Sequence, residues 1–188
     1  MTREEWLNQA TGMLAIGVFQ GHKIPQVKIS VGFTGGGLKT LGAHWAPASS
    51  DDNIGQIYIT PTQSDSVEVL AVLVHELCHA VVGNEHKHGK VFKRCAVAVG
   101  LEGKMTSTHA SKQLVERLNV IVKDLGPIPH SKLNPKMNPK KKDGTRMIKI
   151  ICVNETGYNV RMTQKWIDEA GLPVCACCDA VMKIDVKS

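Results

Sequence analysis

One long apolar stretch decides the fold of this chain: Val67-Glu68-Val69-Leu70-Ala71-Val72-Leu73-Val74-His75-Glu76-Leu77-Cys78-His79. It contains no proline or glycine before Gly83, and its apolar residues continue through successive helical turns. This pattern predicts a mostly buried helix from Ser66 to about Val82. Near its end, the polar side chains of His75, Glu76 and His79 interrupt the apolar surface.

The spacing of these three side chains suits a metal ion. Residues four apart lie about 40° apart around the helix axis and roughly 6 Å along it, so His75 and His79 can reach one ion. Glu76 is offset by about 100° and can contact a water on that ion without being a ligand. This H-E-x-x-H pattern is typical of zinc peptidases, in which the ion lowers the pKa of water to roughly 7 and the glutamate takes its proton. The alternative to a metal site is a buried helix that binds no metal. It is disfavoured, because an unpaired buried carboxylate carries a large desolvation penalty.

A third ligand must come from outside the helix. The candidates are Glu85, His86, His88 and Glu102. The longer pattern H-E-x-x-H-x-x-G-x-x-H does not fit, because Gly83 and His86 each fall one residue late. We favour His88, since the following glycine allows a tight turn that Phe92 can anchor to the core. His109 is a further histidine that could approach the metal, although a surface position near a helix start is favoured for it.

The combined pattern resembles the SprT-like metallopeptidases, a family that includes Spartan-type DNA–protein crosslink proteases. The resemblance rests on His75-Glu76-Leu77-Cys78-His79 with His88-Gly89-x-x-Phe92, on Leu41-Gly42-Ala43-His44-Trp45 and Ile57-Tyr58-Ile59-Thr60-Pro61, and on residues 157–166. It covers about residues 5–100 and 147–180.

The resemblance implies an α+β, zincin-like fold with zinc ligands His75, His79 and His88, catalytic Glu76 and a C-terminal zinc-ribbon-like module. It also implies protein substrates on or near DNA. It would place the strand at 57–60 at the edge of the cleft, where an extended substrate can pair with it, although an ordinary sheet strand fits this sequence equally well.

Apolar periodicity predicts the domain organisation. A metallopeptidase domain is expected at 1–125, a basic Pro/Lys-rich linker at 126–146 and a degenerate ribbon module at 147–188. In the first domain we predict helices at 2–20, 88–101 and 109–125, strands at 27–33, 39–46 and 56–60, and possible helix caps at 106–108. In the last domain we predict strands at 147–153 and 158–162 and a helix at 164–170.

The net charge of +6 is concentrated in one segment. Residues 1–125 carry 12 Lys and Arg against 11 Asp and Glu, whereas residues 126–149 carry seven against one. The first domain therefore lacks the broad basic surface typical of nucleic-acid-binding proteins. Nucleic-acid contacts are predicted instead for the linker residues Lys140, Lys141, Lys142 and Arg146, with a solvated spacer as the alternative, since such a cluster gives only salt-sensitive attraction.

The cysteines of the tail predict a second metal site. Cys175 and Cys178 have the C-x-x-C spacing of a tetrahedral zinc site, and Cys152 is the nearest third ligand. Glu155 or Thr156 stands where a fourth cysteine would be expected. The fourth position could be filled by Glu155, Asp179 or water, Cys177 is also available, and loss of the metal remains an alternative.

Length and composition limit the classes of protein to which this chain can belong. The 188 residues suit one ordinary domain with an appendage, and no apolar run approaches the roughly 20 residues that span a bilayer. The N-terminus lacks the basic start of a signal peptide, so we expect a cytoplasmic protein whose six cysteines are reduced or metal-bound. A zinc-stabilised nucleic-acid- or protein-binding adaptor is the alternative to a peptidase, and the intact Glu76 argues against it.

Overall fold

The computed structural model describes residues 1–137 and 147–185. The chain divides into two compact units, Met1–Met137 and Asn138–Ser188. Within the described residues the architecture is α+β, with five α-helices and small sheets. The same residues include no helix that is long and apolar enough to cross a membrane.

A three-stranded sheet and four helices form most of the first unit. The strands are β1 (Val27–Val31), β2 (Gly42–Trp45) and β3 (Gly55–Ile59), and the helices are α1 (Arg3–Gly17), α2 (Ser66–Val82), α3 (Lys90–Ala98) and α4 (Lys112–Leu125). The strand order is β1-β3-β2, in which β3 pairs parallel to β1 and antiparallel to β2. The central strand is therefore β3, and β2 lies at an edge.

The core of this unit lies between the helices and one face of the sheet. Helix α1 begins at a capping box in which Thr2 and Glu5 satisfy each other's backbone N–H groups, and it buries Trp6, Leu7 and Leu14. Helix α2 contributes Leu70, Leu73, Val74 and Leu77, all fully buried. Burial of the apolar surface of α2 fixes the rotation of this helix, and with it the direction of its polar side chains.

The region after α3 differs from the prediction of a single helix from residue 109. The chain instead forms a hairpin of β4 (Leu101–Lys104) and β5 (Ser107–Ala110) before α4 begins. Ser111 caps α4 by accepting a hydrogen bond from the Leu114 N–H at 3.2 Å, so the predicted caps at 106–108 are wrong. The two strands are four residues each and carry no clear alternation, which is why the periodicity of the sequence does not reveal them.

The start of the predicted linker packs against the first unit. Ile128 is buried, and its N–H donates to Ser66 Oγ at 3.0 Å. The indole N–H of Trp6 donates to the Gly126 carbonyl at 3.0 Å, and the Leu133 N–H donates to the Pro61 carbonyl. The first part of the predicted linker, with its prolines at 127 and 129, is therefore an ordered segment of the first unit and not a free spacer.

The second unit is a small sheet with one short helix. Its elements are β6 (Met147–Ile151), β7 (Asn159–Thr163), α5 (Gln164–Ala170) and β8 (Lys183–Ile184), with strand order β7-β6-β8. Its buried core consists of Ile150, Cys152, Cys175 and Met182. Two of these four residues are cysteines, so packing of apolar side chains alone contributes little to the stability of this unit.

Candidate metal centre

Helix α2 aims His75 and His79 in the same direction. The helix begins at Asp65, which accepts from the N–H groups of Val67 and Glu68, and it ends at Gly83 with a positive φ of 91°. The two imidazole ring centroids lie 5.2 Å apart. Because neighbouring apolar residues are fully buried, the rotation of the helix about its axis is fixed, and both histidines start from the same side.

His88 reaches the same point from the turn that follows α2. Its Nε2 atom lies 3.2 Å from His79 Nε2 and 3.3 Å from His75 Nε2. The chain returns through a 3₁₀ turn at Asn84–His86, and the buried Phe92 ring stacks on His79 with a centroid distance of 4.3 Å. The structure thus brings the three predicted ligands together.

The distances among these nitrogens fit a tetrahedral metal ion. Three nitrogens bound to zinc at about 2.0–2.1 Å lie about 3.3 Å from one another. Without a cation, each neutral imidazole offers one N–H and one lone pair, so one of the close nitrogen pairs lacks a good hydrogen bond. Within the described residues, His79 Nδ1 is also buried without a partner. The donor set therefore suits a metal ion better than it suits a closed hydrogen-bond network.

Burial keeps these histidines in the form that binds metal. Desolvation, followed by the nearby His88, lowers the pKa of His75 to about 4. Desolvation, followed by neighbouring histidines, lowers the pKa of His79 to about 3. Both rings are therefore neutral at pH 7, and neutral imidazole is the metal-binding form.

Thr108 orients His75. Its Oγ1 atom lies 2.8 Å from His75 Nδ1, on the side of the ring opposite to the converging Nε2 atoms. When His75 Nδ1–H donates to this hydroxyl, Nε2 carries the lone pair that binds a metal. Thr108 belongs to β5, the strand that the sequence did not predict, and the sequence gives no signal for this role.

Glu76 lies beside the three histidines but is not part of the ligand group. Its side chain is buried, and desolvation raises its pKa to about 8. A cation held by the histidines would lower this pKa by Coulomb attraction. Its carboxylate packs against Gly42 of β2, where an added Cβ would lie 2.6 Å from Glu76 Oε1. Gly42 therefore provides the room that this carboxylate occupies.

A cleft of about 720 Å³ opens onto the histidines and Glu76. Residues 39–44, which include the first three residues of β2, form one wall, and Thr106, Ser107 and Thr108 form part of another. The resemblance implied that the strand at 57–60 lies at the edge of the cleft. This expectation is wrong, because residues 57–60 lie largely in the central strand β3, which has no free edge. The edge strand at the cleft is β2, and Asn84 holds it to the turn before His88 through two hydrogen bonds with His44, at 2.8 and 3.0 Å.

The other candidate ligands lie elsewhere. His86 Nε2 lies 3.8 Å from Glu85 Oε1, and His109 Nε2 lies 3.9 Å from Glu102 Oε2. None of these four belongs to the cluster around His75 within the described residues. The surface position favoured for His109 is confirmed, because its side chain is 67% exposed.

The cysteines of the second unit form a separate candidate metal group. Ligand atoms of Cys152, Cys175 and Cys178 all lie within 4.8 Å of one another, and Cys152 Sγ lies 3.4 Å from Cys178 Sγ. The Asn154 N–H donates to Cys152 Sγ at 3.3 Å, and the Cys177 N–H donates to Cys175 Sγ at 3.4 Å. Donors aimed at sulfur stabilise thiolates, the form in which cysteine binds metal.

The surroundings of Cys152 favour its thiolate. Hydrogen bonds, the strongest from the Thr156 hydroxyl, lower the pKa of Cys152 to about 6. Thr156 Oγ1 also lies 3.7 Å from Cys175 Sγ. In the part of the chain that the structure describes, the group includes neither Glu155, Asp179 nor Cys177. A hydroxyl thus lies where sequence reasoning considered a carboxylate or water.

The predicted nucleic-acid contacts at Lys140, Lys141, Lys142 and Arg146 lie outside the described residues. Comparison of the chain with protein-family models, with curated proteins and with solved structures gives no match. The functional argument therefore rests on the geometry of the two side-chain clusters and of the cleft.

Proposed function

We propose that this chain is a zinc-dependent endopeptidase of the SprT-like, zincin type. The observation that carries the proposal is the convergence of His75, His79 and His88 beside a buried carboxylate that is not a ligand, all at one open cleft. Three protein ligands with a free coordination position are typical of catalytic zinc, whereas structural zinc is closed by four.

The chain's own residues would divide the work as follows. His75, His79 and His88 would hold the ion, and Thr108 would keep His75 in the correct tautomer. Zinc, when bound, supplies Lewis-acid polarisation of a carbonyl and a water that deprotonates near neutral pH. Glu76 would accept the proton of the attacking water and return it to the leaving amine. Its buried position against Gly42 restricts its carboxylate to the side of the cleft.

The free edge of β2 favours a peptide as the substrate. β2 pairs with β3 on one side only, and residues 39–44 line the cleft. An extended peptide could add to β2 through backbone hydrogen bonds, which recognise any sequence and leave specificity to side-chain pockets. This is the arrangement expected for an endopeptidase that cleaves unfolded segments.

We further propose that the second unit is a ribbon-like module that holds a structural zinc at Cys152, Cys175 and Cys178, with a water as the fourth ligand. The supporting observations are the three convergent sulfurs and the backbone N–H groups that donate to them. The resemblance to SprT-like proteins suggests that the substrates are proteins associated with DNA.

The substitution Glu76→Gln tests the peptidase directly. It preserves shape but removes the base, so hydrolysis of an unfolded protein substrate should fall by about 10²–10⁴-fold while zinc content is unchanged. Glu68→Gln is the matched control, because Glu68 is an exposed residue of the same helix and its loss should leave the rate unchanged. Both assays should be run with and without duplex DNA.

Two outcomes would contradict the peptidase. If the parent protein holds zinc at the histidines and hydrolyses nothing under either condition, the adaptor alternative is favoured. If Glu76→Gln and the parent protein cleave at equal rates, the activity does not arise from this site.

A further inference from the structure

Two lysines lie on the walls of the cleft that opens onto the histidines. Lys39 precedes β2, and Lys87 immediately precedes the ligand His88. Both lysines are exposed, and neither takes part in an ion pair among the described residues. Apart from the histidines, the only other charged side chain among the described residues of the cleft is the buried Glu76. The open part of the cleft therefore carries positive charge that no acid balances.

Lys87 occupies a backbone position that normally belongs to glycine. The Gly89 N–H donates to the His86 carbonyl at 2.9 Å and closes a tight turn in which Lys87 is the second residue and His88 the third. The angles of Lys87, φ 45° and ψ −130°, are close to those of the second residue of a type II′ turn. Glycine is favoured there because it has no Cβ. Folding alone therefore favours glycine, and the lysine side chain needs another explanation.

The two lysines lie toward opposite ends of the cleft. The start of β2 packs on the part of α2 that carries Glu76, whereas His44 of the same strand bonds to Asn84, past the end of α2. The strand therefore runs along α2 toward the turn that carries Lys87, and Lys39 lies before the start of the strand. An extended peptide along the free edge of β2 would meet a cation on each side of the metal site.

We propose that Lys39 and Lys87 make the cleft selective for acidic peptide segments. This inference rests on the proposed function, because it names the substrates of the same site. A carboxylate side chain on either side of the scissile bond can pair with one of the lysines, whereas a substrate lysine or arginine is repelled. Ion pairs between exposed groups are weak, so each pair should change kcat/KM by only about 2- to 5-fold.

Cleavage of matched peptide libraries tests the proposal. The libraries are identical except that the same positions carry Glu in the first, Gln in the second and Lys in the third. The enzyme is the full-length chain, and rates are normalised to bound zinc. We expect kcat/KM at low salt to be about 3- to 10-fold higher for the Glu library than for the Gln library, and lowest for the Lys library. Added salt should reduce the preference, because it screens exposed charges.

Single substitutions locate the selectivity. Lys39→Gln and Lys87→Gln should each reduce the preference by about 2- to 5-fold, and Lys87→Arg should keep it. Lys90→Gln is the matched control, because Lys90 is an exposed lysine three residues further on that does not line the cleft. Lys87→Gly removes the charge and suits the turn, so it should lower the preference while raising the Tm. A purely structural role of Lys87 would not separate these two effects.

Peptide binding to the zinc-loaded Glu76→Gln variant separates this inference from the peptidase, because binding requires no turnover. If the parent cleaves the Glu and Gln libraries equally, or if Lys87→Gln and Lys90→Gln change the preference equally, the selectivity is wrong and the peptidase stands. If the parent cleaves no library but Glu76→Gln binds the Glu library best, and does so through Lys87, the selectivity stands and the peptidase is wrong.

The same binding assay covers the remaining outcomes. If the parent cleaves no library and the Glu76→Gln variant binds all three equally or not at all, both the selectivity and the peptidase are wrong. If Lys87 is required for binding a duplex oligonucleotide but not for binding the Glu library, the lysine serves phosphate groups and the selectivity for acidic peptides is overturned.

Discussion

The two metal-ligand clusters of this protein are built in opposite ways. His75 and His79 project from a helix whose apolar face is buried in a large core, and His88 follows on a turn anchored by Phe92. Cys152, Cys175 and Cys178 lie in loops of a small unit, and two of them belong to its four-residue core. The first cluster is positioned by packing, whereas in the second the ligands themselves are much of the packing.

The side chains and solvent around the two clusters also differ. The histidines face an open cleft with a carboxylate that is not a ligand, as a reactive centre requires. The thiols receive hydrogen bonds from neighbouring backbone and side-chain groups. A metal at the histidines is therefore expected to serve chemistry, and a metal at the cysteines is expected to serve folding.

Removal of metal should give the largest difference between the two units. Chelation should unfold the second unit, because zinc binding supplies about 10–16 kcal/mol in small zinc-dependent modules. The first unit should remain folded because its core does not depend on the metal. Amide hydrogen exchange measures both at once: protection at Ile150 should be lost, while protection at Leu73 should persist.

Single substitutions make the same comparison without a chelator. Cys175→Ser in the presence of zinc should reproduce the loss of protection in the second unit, and His79→Ala should remove zinc from the first unit while Leu73 stays protected. If chelation unfolds both units or neither, the contrast between a catalytic and a structural site is wrong.

A smaller change should impair the reactive centre alone. Gly42→Ala places a Cβ 2.6 Å from Glu76 Oε1 and 2.7 Å from Val72 Cγ1, so the carboxylate must shift. We expect turnover to fall by about 10- to 100-fold, as for a misplaced catalytic group, with zinc content unchanged. Gly32→Ala is the matched control, since its Cβ meets only Tyr58 Cδ1 at 3.6 Å and should have little effect. Equal activity of the two variants would show that Glu76 does not need its present position.

The mildest expected change concerns the orientation of His75. Thr108→Val removes the hydrogen bond at Nδ1 and should weaken zinc affinity of the first unit by about 10-fold, with the metal of the second unit unaffected. Thr106→Val is the control, because Thr106 is an exposed residue that lines the same cleft, whereas the hydrogen bond to His75 comes from Thr108. Competition with a chromophoric chelator gives both affinities, and equal values for the two variants would exclude the positioning role of Thr108.

Much of the first site follows from local pattern in the sequence. The apolar run predicted α2 with the bounds that the structure shows, Ser66–Val82. Helical geometry alone then places His75 and His79 on one side and sets Glu76 apart from them. His88 was favoured because a glycine and a buried aromatic residue follow it, and both act locally in the turn.

The parts that were not predicted are those made by distant segments. The order of strands in the sheet places β2 at the edge and β3 in the centre, which corrects the prediction that residues 57–60 lie at an edge. The hairpin of β4 and β5 was not predicted, and the end of β5 was predicted as the start of a helix. This hairpin carries Thr108 to His75 across 33 positions of sequence. Short strands have weak periodicity, so their existence depends on the partners that they meet.

The sequence by itself determined the identity and spacing of the metal-binding side chains, because a helix converts a four-residue interval into a fixed direction. It also determined that the tail has four cysteines, Cys152, Cys175, Cys177 and Cys178, and no second C-x-x-C pair. Only the tertiary structure decided that Gly42 makes room for Glu76 and that Thr108 contacts His75. These features join residues far apart in the chain, and no local pattern encodes them because they arise from the packing of whole elements against one another.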